Sequence, residues 1–327
     1  MKALITGGAG FIGSHLADYL LEKGYSVTAL DNLSTGSKKN IGHLLKNKNF
    51  KLVDGDILDE TLVKKLVSEV EEVYHLAAAL GVKNIMEKPL ESLITNIKGT
   101  EIVLEAVANK KVKTFIASTS EVYGKQTGVL LTEDSDRVYG STTTKRWSYA
   151  DGKAVDEFLA LGYHDEKDLP IVIGRLFNTV GPRQTGQYGM VIPRFVNQAL
   201  KNEPLTVYND GSMVRSFTYV GDAVEAIYGL MIKENTIGEV FNIGNGKTIT
   251  IKRLAEKIIK MTNSQSVIEY IPYEEVFGKG FEDMQERKPS IAKINQYIGY
   301  DPKVNLDEIL VRTIDYNRKF IVEGAYS

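Results

Sequence analysis

The chain contains no cysteine. Disulfides, thiolate nucleophiles and cysteine-ligated zinc are thereby excluded. Histidine is scarce: His15, His43, His75 and His164 are the only four, none at the paired spacing of a metal site. All four read as structural, and no metal is expected. Charge of one sign is also missing, because 40 basic and 42 acidic residues leave a formal net charge of −2. That balance carries no footprint for nucleic acid or an anionic membrane. The pairs Lys38-Lys39 and Lys110-Lys111 read as solvated surface. No apolar run approaches the ~20 residues that span a bilayer. The sequence opens on an apolar stretch, Lys2-Ala3-Leu4-Ile5, without the layout of a signal peptide. A soluble, cytoplasmic protein is expected.

What is present is alternation. Short apolar runs at Lys2–Ile5, Ser26–Leu30, Phe50–Val53, Glu72–Leu76, Thr114–Ser118 and Ile171–Gly174 are separated by amphipathic stretches such as Gly13–Lys23, Glu60–Val70 and Leu90–Asn109. Near-continuous apolar strands alternating with helices predict an α/β protein with a parallel sheet covered on both faces. After Phe177 the pattern loosens, with turns at Val180-Gly181-Pro182-Arg183 and Asn209-Asp210-Gly211. Helical stretches recur at Ile192–Lys201, Val220–Ile232, Ile251–Met261 and Leu306–Phe320. Residues 1–177 are expected to form a Rossmann-type doubly wound domain. Residues 178–327 are expected to form a smaller mixed α/β region over the sheet's carboxyl edge, with a strand near 240–243 returning to the main sheet. No internal repeat or low-complexity segment occurs.

The first strand runs into Thr6-Gly7-Gly8-Ala9-Gly10-Phe11-Ile12-Gly13. Gly7 permits a tight turn, Gly10 lets a pyrophosphate approach, and Gly13 allows close packing of helix on strand. The helix N-terminus adds N–H groups and a dipole that favours anions. The second strand ends in Asp31-Asn32, where an acid can accept hydrogen bonds from an adenosine ribose. Asp31 would repel a 2′-phosphate, so NAD is expected over NADP. Asp56-Ile57 after the third strand and Leu76-Ala77-Ala78 at the fourth are expected along the same cofactor, as are Phe11 and Ile12.

Tyr149 and Lys153 stand four apart, so on a helix they share one face. An ammonium there favours phenolate over phenol and pulls the tyrosine towards the working range of a base. The pair by itself also fits an ordinary solvated helix face; the phosphate loop upstream gives it weight.

With Gly7-x-x-Gly10-x-x-Gly13, then Ser118-Thr119-Ser120-Glu121-Val122-Tyr123-Gly124, then Tyr149-x-x-x-Lys153, the chain resembles the extended short-chain dehydrogenase/reductases. More narrowly, it is similar to the NAD-dependent nucleotide-sugar epimerases and dehydratases. Further matches are Arg175-Leu176-Phe177-Asn178-Thr179-Val180-Gly181-Pro182-Arg183, Pro204–Tyr208, Arg215–Asp222 and Phe241-Asn242-Ile243-Gly244. The resemblance implies a triad of Thr119, Tyr149 and Lys153. Tyr149 takes the proton of a sugar C4 hydroxyl, Lys153 lowers its pKa and holds the nicotinamide ribose, and Thr119 bonds the reacting oxygen. It also implies substrate contacts by Ser120, Asn178 and Arg183, and a diphosphate contact by Arg215. The substrate is a nucleotide-sugar, with a UDP-sugar favoured. The helix of Tyr149 and that of Leu90–Asn109 resemble the pair forming a dimer interface in this family, so a homodimer is expected.

A 4-keto sugar can end in three products. Epimerisation at C4 stands first, since it requires least beyond the triad. UDP-glucuronate decarboxylases resemble the chain at Thr119-Ser120-Glu121, Arg146, Gly152-Lys153 and Arg287-Lys288-Pro289-Ser290, with Arg287 as the implied carboxylate clamp. Their tyrosine after the fourth strand is replaced here by Ile85. Dehydration needs a further acid and base; Glu121 matches, but Ser120 stands where an aspartate is common. Loss of the tyrosine or lysine would mark a non-catalytic dinucleotide-binding module, and both are present.

Overall fold

A computed structural model describes residues 1–79, 81, 87–186, 190–278 and 281–322, with side chains to residue 319. Ile85 lies outside the described residues. Strands β1 (Lys2–Thr6), β2 (Ser26–Asp31), β3 (Phe50–Asp54), β4 (Glu72–His75), β5 (Lys113–Thr119), β6 (Ile171–Leu176) and β7 (Val240–Ile243) form one sheet. Its order is β3-β2-β1-β4-β5-β6-β7, and every pairing is parallel. This is the Rossmann-type arrangement, in which the chain reverses direction of winding between β1 and β4.

The apolar runs arise because both faces of the sheet are buried. In β1, Ala3 and Ile5 join a core with Leu16, Leu20, Val224 and Ile227, while Leu4 joins a second core with Val63, Leu66, Ile102 and Val107. Side chains alternate across a strand, so a strand covered twice is apolar throughout. The principal helices are α1 (Phe11–Glu22), α2 (Glu60–Ser68), α3 (Pro89–Ala108), α4 (Ser148–Lys167), α5 (Val191–Leu200), α6 (Val220–Met231), α7 (Ile251–Thr262) and α8 (Leu306–Val322). Helix α2 starts where Asp59 accepts a hydrogen bond from Leu62 N at 3.0 Å. Helix α4 carries two buried stripes: Ala150, Ala154, Glu157 and Ala160 on one, and Gly152, Lys153 and Asp156 on the other. A helix buried on both flanks can hold polar groups dry, and this one does.

A third core, with Phe195 and Val196 of α5, Leu254 and Ile258 of α7, and Ile309 and Leu310 of α8, packs around the parallel pair Leu205–Tyr208 and Ile268–Ile271. Beside it, Val214–Ser216 pairs with Thr248–Thr250 on one edge and Glu286–Arg287 on the other. The parallel register sets Arg287 directly opposite Arg215.

Candidate active site

The carboxyl ends of β1 and β4 open onto a cavity of about 1460 Å³, bounded on its far side by residues of 208–217, 273–277 and 281–287. That is larger than a pocket for one drug-sized ligand, ~300–1,000 Å³, and suits two nucleotides end to end.

At one end is the glycine loop. Gly7 has φ +72°, and a Cβ on Gly13 would stand 2.2 Å from Gly7 O, so only glycine fits there. A Cβ on Gly7 would meet Ala77 N at 2.9 Å, which shows how closely the loop approaches the end of β4. The N-cap of α1, Gly10, has no side chain to cap the first turn, and those N–H groups are left for an anion. Phe11, Ile12, Leu76 and Ala78 line the same end. The Asp31 carboxylate accepts from Ala9 N at 2.9 Å and Leu33 N at 2.8 Å. Burial pushes its carboxyl upward, against these backbone bonds. Asn32 donates to Asp56 at 2.8 Å, and Ile57 is buried beside them. These groups fit an adenosine diphosphate: donors for phosphate, acceptors for ribose, and an apolar wall.

Further along, Thr119 ends β5 and caps the short turn Ser120–Tyr123 by accepting from Glu121 N at 3.2 Å. The Thr119 hydroxyl also bonds the Tyr149 phenol. Lys153 is buried and pairs with Asp156 at 2.8 Å. Burial pushes the Tyr149 phenol well up, and Glu121 and Asp156 push the same way, opposed by Arg146 and the Thr119 bond. This differs from the expected role of Lys153 in lowering that pKa. The ammonium that the spacing brings near is balanced by Asp156, a residue one turn further along the same helix.

Beyond the triad lies a buried cluster. Arg146, 1 % exposed, donates to Glu121 and lies 3.5 Å from Asp283. Arg287 stands 3.5 Å from Glu121 and 3.6 Å from Asp283. Arg215 meets Asp283 at 3.2 Å and donates to Met284 O at 2.6 Å. Burial opposes the ionisation of Glu121 and Asp283, but the arginines outweigh it, holding Glu121 below its ordinary range and Asp283 at about 2. Arg215 is lowered to about 10 by burial and by Arg287. Three guanidinium groups face two carboxylates, so the cluster carries one surplus positive charge. Nε and Nη2 of Arg146 and Nε of Arg287 have no hydrogen-bond partner among the described residues. Both arginines line the cavity.

The remaining expected residues are distributed around this centre. Ser120 is buried below Thr119. Asn178, with φ +23°, donates to Ser216 O at 2.9 Å and lines the cavity. Arg183, with φ +71°, pairs with Asp18 of α1 at 2.7 Å, on the side of the glycine loop. The Arg215 guanidinium is taken up by Asp283 and backbone carbonyls. Asp283 and Asp156 were not legible as members of the site. Their only signals are helical spacing, Asp156 three after Lys153, and the four-residue step from Asp283 to Arg287. No group of three His, Asp or Glu residues among the described residues could hold a metal ion.

Known proteins share this layout. The GDP-mannose 4,6 dehydratase family matches residues 4–313. The UDP-N-acetyl-alpha-D-glucosaminuronate decarboxylase of Bacillus cytotoxicus is 44 % identical over 97 % of this chain and 98 % of its own length. UDP-glucuronic acid decarboxylase 1 of Xenopus tropicalis is 36 % identical over 99 % of this chain and 74 % of its own. The crystal structure of UDP-glucuronic acid 4-epimerase from Bacillus cereus, in complex with UDP-glucuronic acid and NAD, aligns with a TM-score of 0.89 at 32 % identity, covering 98 % of this chain and 100 % of that one. With its sheet order, glycine loop and buried tyrosine–lysine helix, the chain belongs to the GDP-mannose 4,6 dehydratase family of the extended short-chain dehydrogenase/reductases.

Proposed function

We propose that the protein is an NAD-dependent decarboxylase of a UDP-linked uronic acid. One observation carries this reading: the surplus positive charge, with unpartnered guanidinium nitrogens, beside Tyr149. Buried guanidinium nitrogens left without hydrogen bonds are costly, and a substrate carboxylate is a group that relieves them. Both decarboxylase relatives are named for uronic-acid substrates, in agreement with that charge.

The glycine loop would hold the cofactor's pyrophosphate, Asp31 its adenosine ribose, and Ile57 and Asp56 would lie near adenine. Asp31 would repel a 2′-phosphate, which favours NAD. When bound, NAD supplies the acceptor and donor of the C4 hydride. Tyr149 takes the C4 hydroxyl proton, and Thr119 holds the same oxygen. A ketone at C4 makes the C6 carboxylate a β-keto acid, which loses carbon dioxide as its electron pair passes into the C4 carbonyl. Tyr149, now a neutral phenol, and Thr119 donate to the enolate oxygen that forms. Arg146 and Arg287 orient the carboxylate. Glu121 and Asp283 already take up two of the three cationic charges, so the carboxylate is bound without being held too firmly to leave.

Epimerisation ranked first on sequence because it requires least. The arginines on either side of Glu121 support placing decarboxylation first. The Glu121 carboxylate is ionised between two arginines and cannot serve as the acid for loss of water, while the same arginines suit a uronate. Epimerisation of a UDP-uronate at C4 is the second reading, favoured by the likeness to the Bacillus cereus 4-epimerase. The region from residue 178 onward serves mainly in substrate binding, apart from β7 and α6, which join the main sheet and its core. A homodimer through α3 and α4 is supported by Leu90, Ile94, Val155 and Phe158, which are exposed on those helices. Mass spectrometry of products from UDP-glucuronate, UDP-N-acetylglucosaminuronate and UDP-glucose with NAD tests the reading. Loss of carbon dioxide from a uronate is expected. An unchanged mass with altered stereochemistry favours the epimerase, and turnover of UDP-glucose alone overturns both uronate readings.

A further inference from the structure

Lys153 is not free to act on Tyr149 alone. Its ammonium is 3 % exposed and its partner, the Asp156 carboxylate, is fully buried, with Nζ and Oδ2 2.8 Å apart. Asp156 is approached from the opposite side by α3. The Thr100 hydroxyl of α3 acts on its carboxylate, although Oδ1 itself closes no regular hydrogen bond. Thr100 in turn meets His75 Nε2 at 3.1 Å, and His75 Nδ1 meets the Thr6 hydroxyl at 2.8 Å. Thr6 Oγ1 accepts from Ala77 N at 3.2 Å, beside the glycine loop. A buried polar chain thus connects the loop that holds phosphate to the helix that holds the base.

We propose that Asp156 is a positioning residue: at the end of this chain it fixes the Lys153 ammonium and cancels its charge beside Tyr149. The proposal rests on Tyr149 acting as the base. Glu121 and Arg146 act on the phenol from the two short turns and Asp156 from its own helix, where Lys153 pairs with Asp156; His75 of β4 acts on Lys153, and Asp283 and Arg287 stand behind Arg146. Burial holds His75 neutral, lowering it to about 3, so it adds no charge. Among these groups Lys153 is the cation on the phenol's own helix face, and Asp156 is its counter-charge. The pair therefore presents little net field to the phenol, which stays protonated until a further positive charge arrives in the cavity. A phenol kept neutral in the empty site cannot take a proton before substrate and cofactor are in place.

Asp156→Asn tests this. Trp147 is the only tryptophan, buried two residues before Tyr149. Phenolate absorbs where indole emits, so ionisation of Tyr149 quenches Trp147 in the protein without cofactor. Tyr139, whose ring lies 5.9 Å from Trp147, contributes too, and Tyr149→Phe isolates the Tyr149 part. In Asp156→Asn the Tyr149-dependent quench is expected to set in about one pH unit lower, because an opposite charge is now uncompensated. The acid limb of the kcat/KM profile moves the same way, and Asp156→Glu restores both. An unchanged onset in a folded Asp156→Asn protein overturns the proposal. Should that variant not fold, Lys153→Met/Asp156→Leu decides, since removing both charges of a buried pair is tolerated. Its quench is expected to set in at the wild-type pH, the net charge being unaltered. An onset raised by a unit, as loss of an uncompensated cation would give, overturns the proposal. Failure of the wild type to turn over any UDP-uronate leaves this fluorescence result standing and counts against the proposed function instead.

Discussion

Two buried arginine–carboxylate clusters flank β5, and they are built to opposite ends. Behind the strand, Arg175 meets Glu157 through Nε at 3.0 Å and Nη2 at 2.7 Å, and donates through Nη1 to Tyr123 at 2.9 Å and Glu133 O at 2.8 Å. Ser118 donates to Glu157, and Tyr123 donates onward to Asn242 at 2.6 Å. Arg175 and Glu157 balance in charge, and the donors of Arg175 are engaged. In front of the strand, Glu121, Arg146, Arg215, Asp283 and Arg287 leave one charge over and three nitrogens without a hydrogen bond among the described residues. A satisfied cluster ties α4, β5, β6 and β7 together. An unsatisfied one is held ready for a ligand that completes it.

The difference can be broken from either side. Glu157→Gln leaves Arg175 buried without its counter-charge, and a loss of about 3–5 kcal/mol in denaturant-measured stability is expected. Turnover per folded molecule should change little; a stability loss below about 1 kcal/mol would mean that the two clusters are not different in kind. Arg287→Met acts in reverse. It removes the surplus charge, so stability should shift by less than about 1 kcal/mol. Steady-state kcat/KM on a UDP-uronate should fall about a hundredfold, or about 2.7 kcal/mol of transition-state stabilisation. Equal activity of Arg287→Met and wild type would remove the carboxylate-binding role.

Acid sharpens the comparison further. Asp283 is held at about 2 in the folded protein, below its unfolded value. A depressed carboxyl contributes stability that is fully present above the unfolded pKa and lost as pH falls through the folded one. About 2 kcal/mol should therefore disappear between pH ~4 and ~2. Asp283→Asn is expected to flatten that part of a plot of stability against pH. A slope identical to wild type would show that the cluster does not hold Asp283 as described.

The fold was largely legible. The runs at residues 2–5, 26–30, 50–53, 72–76, 114–118 and 171–174 predict strands that the structure places within two residues at each end. Strands buried on both faces give continuous apolar runs, which composition cannot disguise. The glycine loop was legible for a related reason: a Cβ at Gly13 has nowhere to go. Less could be read in the 214–216 and 286–287 strands. They are short, and their pairing brings together residues about seventy apart in sequence. Local pattern does not encode such a register.

The site divided along the same line. Tyr149 and Lys153 follow from spacing on one helix, and Thr119 from its place in the Ser118–Gly124 motif. That Asp156 shares the spacing was equally visible, but a carboxylate one turn from a lysine is usually a solvent-exposed pair of little consequence. Only burial between α3 and α4 gives it weight.

Sequence by itself determined the architecture, the glycine loop and the placing of Tyr149 and Lys153 on one helix. These depend on contacts within a helix, a strand or a single turn, where spacing fixes geometry. Tertiary structure alone decided the net charge in the cavity beside Tyr149. Glu121, Arg146, Arg215, Asp283 and Arg287 come from four separate segments, and their field depends on burial and distance. Coulomb energies at a few ångströms in a dry interior are set by the fold, and no order of residues along a chain contains them.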